Sequence, residues 1–128
     1  MESKAIIKYA KISPRKLRFL TEAVKTLKPT VALDYLGLSN TRSAKFLMKA
    51  IKSAVDNGKT VYNMSPEKMT FKSLFIDEGV YLKRFRAGSR GTGKPYKRRT
   101  SHITVVLTQK EQEVKKKKVT SDKVTKKT

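Results

Sequence analysis

The feature that most constrains the fold is a long basic segment, from Gly79 to His102, that contains eight basic residues and no acid. Apolar and β-branched runs at 71–76 and 103–107 stand on either side of it and predict strands. Three glycines cluster near its middle, at Gly88, Gly91 and Gly93. The pattern predicts a β-hairpin with arms of about nine residues, which at ~3.3 Å per residue reach on the order of 30 Å. Arms so long and so charged cannot fold against their own domain, so we expect a polyanion to surround them.

The side chains of this segment suit contact with RNA. Its basic residues are spread over both predicted arms and the turn, at Lys83, Arg84, Arg86, Arg90, Lys94, Lys97, Arg98 and Arg99. Arginine forks grip phosphate oxygens, and the rings of Tyr81, Phe85 and Tyr96 can stack on bases or sugars. Glycines at the turn allow one stretch of backbone to approach another closely.

Two other interpretations of the segment fit less well. A flexible surface loop with a solvated charge run is the plainest alternative, but the segment has no acid to neutralise it and strands flank it. A nucleotide-binding loop needs the GxxxxGK[ST] or GxGxxG spacing and a following helix. The three glycines match neither spacing, and a strand follows them.

Apolar periodicity upstream of the segment predicts one strand, at 5–9, and three helices. The first helix begins at Ser13 and Pro14, because serine is a good cap and proline is tolerated at the first helical position. The expected caps and ends of the next two helices are Thr30 and Gly37, then Ser39 or Asn40 and Gly58. We expect the Met and Phe residues of these helices and strands to lie in the core.

The order of one strand, three helices and two strands predicts an α+β fold. In it, a small three-stranded antiparallel sheet packs against three helices, and a long β-hairpin protrudes at about 80–101. The sequence predicts a single domain over 1–108. From Gln109 onward apolar residues nearly vanish and lysine dominates, which predicts a disordered basic C-terminal tail over 109–128.

Composition limits the classes of function. The 31 Lys and Arg residues against 10 acids give a formal charge of +21, so the first candidate partner is nucleic acid and the second an anionic membrane surface. Without cysteine and with His102 as the one histidine, thiolate and multi-histidine metal sites are excluded, and we expect no cofactor. No apolar run approaches the roughly 20 residues of a membrane span. No secretion signal is visible either, so we expect the protein to work in the cytoplasm where it is made.

Five stretches of the chain resemble the family of large ribosomal subunit protein twenty-two. They are Ser13–Arg18, Ala32–Leu33, Phe75–Gly79, Lys83–Arg84 and, most specifically, Lys97–Leu107 with its Arg-Thr-Ser-His-Ile-Thr-Val-Val run. The resemblance covers residues 4–108. It departs from the family at the predicted hairpin tip, 87–93, where the usual Pro-Arg-Ala and Gly-Arg-Ala pattern is missing, and the lysine-rich end is longer than usual.

The resemblance implies a structural component of the large ribosomal subunit and no enzymatic activity. The globular part would lie near the exit of the nascent-peptide tunnel, and the hairpin would run through the rRNA. Its tip, Gly88, Ser89, Arg90, Gly91, Thr92 and Gly93, would line the tunnel. The implied partners are large-subunit rRNA, neighbouring ribosomal proteins and the nascent polypeptide. The implied location is the ribosome of a bacterial cytoplasm or, for an organelle-encoded copy, of an organelle.

A second group of candidate RNA contacts surrounds the start of the first helix, at Lys11, Arg15, Lys16 and Arg18. By the resemblance this region faces rRNA, and a helix N-terminus adds a phosphate site. The alternative is a solvated helix face. The stretch Thr100, Ser101 and His102 completes the candidate RNA-binding set. A lone histidine with no nucleophile or metal partner has no catalytic mechanism, so packing or RNA contact are the roles left for His102.

Other classes of function remain as rivals. A membrane-surface basic protein needs a helix with a wide apolar face and bulky interfacial aromatics, and the chain has no tryptophan. An enzyme acting on nucleic acid needs clustered carboxylates, whereas the ten acids are scattered and the adjacent Asp77 and Glu78 point to opposite faces of a strand. A basic DNA-binding architectural protein would be recognised by a preference for duplex DNA over structured rRNA.

Overall fold

The computed structural model describes residues 2–109, which form an α+β fold of the predicted class. The strands are β1 (Glu2–Ala10), β2 (Met69–Glu78), β3 (Leu82–Ala87), β4 (Gly93–Arg98) and β5 (Ser101–Gln109). The helices are α1 (Pro14–Lys25), α2 (Pro29–Leu38) and α3 (Arg42–Tyr62). Strand β5 takes in Gln109, the first residue of the predicted tail, and the rest of that tail lies outside the described residues.

Three of the strands form the predicted antiparallel sheet, in the order β1–β5–β2. The central strand β5 alternates strictly, with Ile103, Val105 and Leu107 fully buried and the residues between them half-buried. Side chains of a strand alternate between faces, so one face of the sheet carries the core and the other is open. Helices α1 and α3 cover the core face, where Leu17 and Leu47 are completely buried.

The remaining two strands, β3 and β4, form a separate two-stranded sheet, which is the predicted hairpin. Each arm has six residues instead of the predicted nine, and therefore reaches about 20 Å at ~3.3 Å per residue. The arms are shorter because residues 79–81 and 99–100 connect the two sheets without belonging to either. The hairpin is therefore joined to the globular part by two short connections.

The helix starts differ from those predicted. Helix α2 begins two residues earlier, with Lys28 in place of Thr30 as the cap and Pro29 as the first helical residue, since proline is already suited to that position. Helix α3 is capped by Thr41, whose hydroxyl accepts a hydrogen bond from the amide of Ala44 at 3.3 Å. Ser39 and Asn40 precede this cap and lie outside the helix.

Neither glycine that was expected to end a helix does so. Gly37 lies inside α2, and Gly58 lies inside α3 four residues before its end. Gly58 packs closely on the core, since a Cβ at that position would come within 2.7 Å of the terminal methyl of the fully buried Met69 side chain. The true end of α3 is Asn63, which adopts the left-handed conformation with φ 50°.

The expectation that the phenylalanines of the helices and of the three-stranded sheet lie in the core is wrong for two of them. Phe19 on α1 is 79% exposed, and Phe75 on β2 is 56% exposed. Each stands next to a core position and points away from it, since Leu20 and Leu74 turn inward. Local apolar character therefore does not identify which face of an element is buried.

Candidate nucleic-acid interface

Like charges stand directly opposite each other across the two arms of the hairpin. Lys83 pairs with Lys97, and Arg86 pairs with Lys94. Like charges in directly opposed positions of an antiparallel pair destabilise it. Since no acid occurs between residues 79 and 102, the compensating negative charge must come from outside this segment.

Two of the three hairpin aromatics already carry a cation on their rings. The Arg86 guanidinium lies 4.9 Å from the centroid of the Tyr96 ring, and the Lys97 ammonium lies 4.6 Å from that of Tyr81. Such contacts hold a charged group over an aromatic face. Phe85 is 73% exposed and remains the hairpin ring most open to stacking.

A groove of about 970 Å³ runs between the β4 side of the hairpin, the start of α1 and the start of α3. Eight basic residues line this basic groove: Lys11, Arg15, Lys16, Arg42, Arg86, Lys97, Arg98 and Arg99. None of the described residues that line it is acidic. The cations at the start of α1 and half of those in the hairpin segment are far apart in the sequence. The fold brings them to the two sides of one groove.

Arg42 is the groove residue that sequence reasoning missed. It is the first residue of α3, directly after the Thr41 cap, so its charge stands at the positive end of the helix. Placing the helix start at Ser39 or Asn40 hid this position. The signal that would have identified it is the threonine three residues before the apolar Ala44.

Four hairpin cations lie outside the groove. Lys83 lines a second hollow of about 750 Å³, on the face of the hairpin that also carries Phe85 and Pro95. Arg84 and Lys94 are exposed on the arms, and Arg90 is exposed at the tip. Arg84 and Lys94 stand opposite Tyr96 and Arg86, on the same side of the hairpin as those groove residues, and the guanidinium of Arg84 donates to the carbonyl of Lys83 at 3.0 Å.

Two of the predicted RNA-binding side chains are turned inward and have packing roles. Ser101 is fully buried, and its hydroxyl donates to the carbonyl of Ile12 at 2.5 Å. Thr100 is 8% exposed, and its hydroxyl donates to the carbonyl of Val80 at 2.6 Å. Because side chains so enclosed have little surface left for RNA, we leave both out of the interface.

Arg18 and His102 are also engaged within the protein. The guanidinium of Arg18 donates to the carbonyl of Ile76 from Nε at 3.3 Å and from one terminal nitrogen at 3.1 Å. The Nδ1 atom of His102 accepts from the amide of Tyr9 at 3.0 Å, and the two rings meet edge-on at 4.7 Å. Both side chains tie strands or helices together at the base of the hairpin.

The hairpin tip reverses the chain with unusual backbone conformations. Arg90 and Gly91 are both left-handed, with φ 55° and 71°. The amide of Gly88 donates to the carbonyl of Thr92 at 2.8 Å, and a Cβ at Gly88 would come within 2.6 Å of that oxygen. The expected close approach of two backbone stretches is therefore confirmed at Gly88. Arg90 is the one cation among the six tip residues.

The part of the chain from 2 to 109 contains no group of three metal-binding side chains, and none of its helices is long and apolar enough to cross a bilayer. The ion pair found there joins Glu2 to Lys72 on the surface, and the hydrogen bond from Lys72 lowers the pKa of the Glu2 carboxyl. The charge of the described residues is therefore mostly uncompensated positive charge.

Comparison with known proteins gives a consistent match. The family model of ribosomal protein L22p/L17e matches residues 5–108. The large ribosomal subunit protein uL22 of Opitutus terrae is 38% identical over 108 residues, which cover 84% of this chain and 96% of that protein. The protein of the same name from Thermus thermophilus is 38% identical over 110 residues, which cover 86% of this chain and 97% of that protein. The matched region includes the hairpin, the groove and nearly all the described residues.

Proposed function

Because the chain belongs to the ribosomal protein L22p/L17e family, we propose that it binds large-subunit rRNA through the basic groove and the hairpin. Family membership makes the protein a structural constituent of the large ribosomal subunit, located in the ribosome, and not an enzyme. We also propose that the globular part lies near the exit of the nascent-peptide tunnel and that the hairpin tip lines the tunnel. Neighbouring ribosomal proteins and the nascent chain are then further partners.

The observation that carries the proposal is the pairing of like charges across the hairpin. Lys83 against Lys97 and Arg86 against Lys94 oppose the pairing of the arms unless an anion lies beside them. RNA phosphates supply negative charge at regular spacing and on more than one side. The task of the protein is then to neutralise phosphates where rRNA segments approach each other, so that an RNA arrangement forms that repulsion would otherwise oppose.

The basic groove gives the second half of the interface. Its cations come from three elements, so one RNA segment in the groove would contact the hairpin, α1 and α3 together. Such a contact fixes the direction of the hairpin relative to the globular part. The proposed phosphate contacts are therefore the eight groove cations together with Lys83, Arg84, Arg90 and Lys94.

The proposal for the tip rests on its composition. Residues Gly88 to Gly93 are small apart from Arg90, so this end of the hairpin offers RNA a single phosphate contact, whereas the arms offer many. A surface that lines a channel must leave room for the passing chain, which small residues do.

Binding to large-subunit rRNA as a function of salt tests the proposal. We expect a steep fall in affinity as salt rises, with a log–log slope of about −0.7 to −0.9 for each phosphate contact. Competition with duplex DNA of the same length tests the alternative of a DNA-binding architectural protein. Competition with anionic vesicles tests the alternative of a membrane-surface protein. A flat salt dependence, or a preference for duplex DNA over rRNA, would contradict the proposal.

A further inference from the structure

An exposed aromatic ring stands in the basic groove without a role in the fold. Phe19 lines the groove from the second turn of α1, and 79% of its surface is exposed. Arg15 and Lys16 precede it by four and three residues, so the three side chains are neighbours on one face of the helix. The opposite face of α1 carries the buried Leu17 and Val24.

Single exposed apolar residues are common on protein surfaces and need no explanation by themselves. Phe19 differs because its surroundings are strongly charged: the groove around it has eight cations and no acid among its described lining residues. An apolar protein partner seated on this ring would have to remove water from many of those cations, which is costly without anions. A ligand that fits here carries both negative charge and a flat apolar face.

The other ring of the groove is less available. Tyr96 is half-buried, and the guanidinium of Arg86 already lies over its face. The cation–ring contacts recorded among residues 2–109 involve Tyr96 and Tyr81, and Phe19 takes part in neither. Phe19 is therefore the groove ring that offers a face to a ligand.

We propose that Phe19 stacks on the base of an unpaired nucleotide whose neighbouring phosphates lie against the groove cations. This inference rests on the proposed function and specifies it: the groove takes single-stranded or bulged RNA, because a base inside a continuous helix does not expose its face. The phosphates account for the salt dependence of binding, and the stacked base adds affinity that salt does not remove.

Replacing Phe19 separates stacking from charge. Loss of one base–aromatic stack typically weakens binding from roughly fivefold to a hundredfold. Phe19→Ala and Phe19→Leu are both expected to weaken binding to a large-subunit rRNA transcript within that range, with no change in the salt slope, because no phosphate contact is lost. Phe19→Tyr keeps a flat ring and is expected to bind like the unchanged protein. The side chain is exposed, so these variants should fold, and thermal unfolding checks that they do.

Fluorescence locates the contact directly. The chain has no tryptophan, so Phe19→Trp introduces a single indole into the groove. Val61→Trp is the matched control, because Val61 is 65% exposed and lies at the far end of α3, about 28 Å along the helix from Arg42 at ~1.5 Å per residue. On titration with the rRNA transcript, we expect strong quenching of the indole at position 19 and little at position 61.

The outcomes distinguish the stacking proposal from the proposed function. If the unchanged protein does not bind the transcript with a steep salt dependence, the proposed function fails. If it does, but Phe19→Ala binds normally and the indole at position 19 is not quenched, base stacking is wrong while rRNA binding stands. If the Phe19→Leu variant binds the transcript as tightly as the unchanged protein while the Phe19→Ala variant binds it weakly, the contact is apolar but is not a stacked base. That result also overturns the proposal.

Discussion

The hydroxyl of Thr100 donates a hydrogen bond to the carbonyl of Val80 at 2.6 Å, and this bond joins the two connections between the sheets. A second bond runs beside it, from the amide of Gly79 to the carbonyl of Thr100 at 2.9 Å. Gly79 has no room for a side chain, since a Cβ there would come within 2.5 Å of the Thr100 hydroxyl. These three residues, the hairpin root, join the two connections at the point where the hairpin leaves the globular part.

The first prediction concerns this root. Thr100→Val removes the hydroxyl but keeps the shape of the side chain, and it leaves the Val80 carbonyl without this donor. We expect the free energy of unfolding to fall by about 0.5–1.5 kcal/mol, since Val80 is largely exposed and water can replace the lost donor, and the amides of the two connections to exchange faster with solvent. Hydrogen exchange and denaturant unfolding measure both effects. Thr100→Ser keeps the donor and is the control; equal behaviour of the two variants would show that the bond has no role.

The second prediction concerns Arg42 in the groove. Arg42→Gln removes one cation, and if it contacts a phosphate, the log–log salt slope for rRNA binding should become shallower by about 0.7–0.9. Lys59→Gln makes the same change of charge in the last turn of α3, at the opposite end of the helix, and should leave the slope nearly as it was. Salt titrations of both variants provide the comparison. An equal loss of slope in the two variants would mean that RNA binding depends on the total charge of the protein and not on a phosphate contact at Arg42.

The third prediction separates the arms of the hairpin from its tip. Replacing Arg84, Arg98 and Arg99 together by Ala should weaken incorporation into the large subunit, because phosphates are proposed to flank the arms. Deleting Ser89 to Thr92 should leave incorporation nearly intact but change the tunnel width and its response to nascent chains or tunnel-blocking small molecules.

Subunit occupancy of these two variants and a map of the tunnel test that division. Normal assembly of the triple variant together with loss of assembly in the tip deletion would reverse the roles proposed here.

The fourth prediction is that Ser101 acts in folding and not in RNA contact. Ser101→Ala removes the donor to the Ile12 carbonyl in a fully buried place, which should lower the free energy of unfolding by about 1–3 kcal/mol. The variant that remains folded should bind rRNA with the native salt slope. A change in rRNA affinity or in the salt slope of the folded variant would show that Ser101 does contact RNA.

The elements of the fold follow from local patterns where periodicity is strong. The alternation at 103–107 and the apolar stripe of the third helix predict β5 and α3 correctly in kind and order. Their ends are less predictable, because a residue such as Gly58 can serve packing against Met69 as well as ending a helix. Only the neighbour across the core decides which role it takes.

The basic groove is harder to predict than the elements that form it. The cations at Lys11 to Lys16 and at Lys97 to Arg99 are visible in the sequence as two separate clusters. Whether they face each other depends on the direction in which the hairpin leaves the globular part, and at that point the contacts join residues about twenty positions apart, Gly79 and Val80 with Thr100. Ser101 looks polar and accessible in the sequence, but it is fully buried because it shares the core side of β5 with Ile103.

The register of the hairpin also limits how its length can vary. Arg86, Tyr96 and Arg98 line the groove and project from the same side of the hairpin, since side chains alternate sides along each arm. One residue inserted into one arm, between the root and these side chains, would turn the side chains on the tip side of the insertion to the other side of the hairpin. The groove cation of that arm would then point away from the groove. Two residues added to each arm would preserve both the sides and the opposed pairs. Natural length variants of this hairpin should therefore differ by even numbers in each arm, with odd changes absorbed at the turn between Gly88 and Gly93.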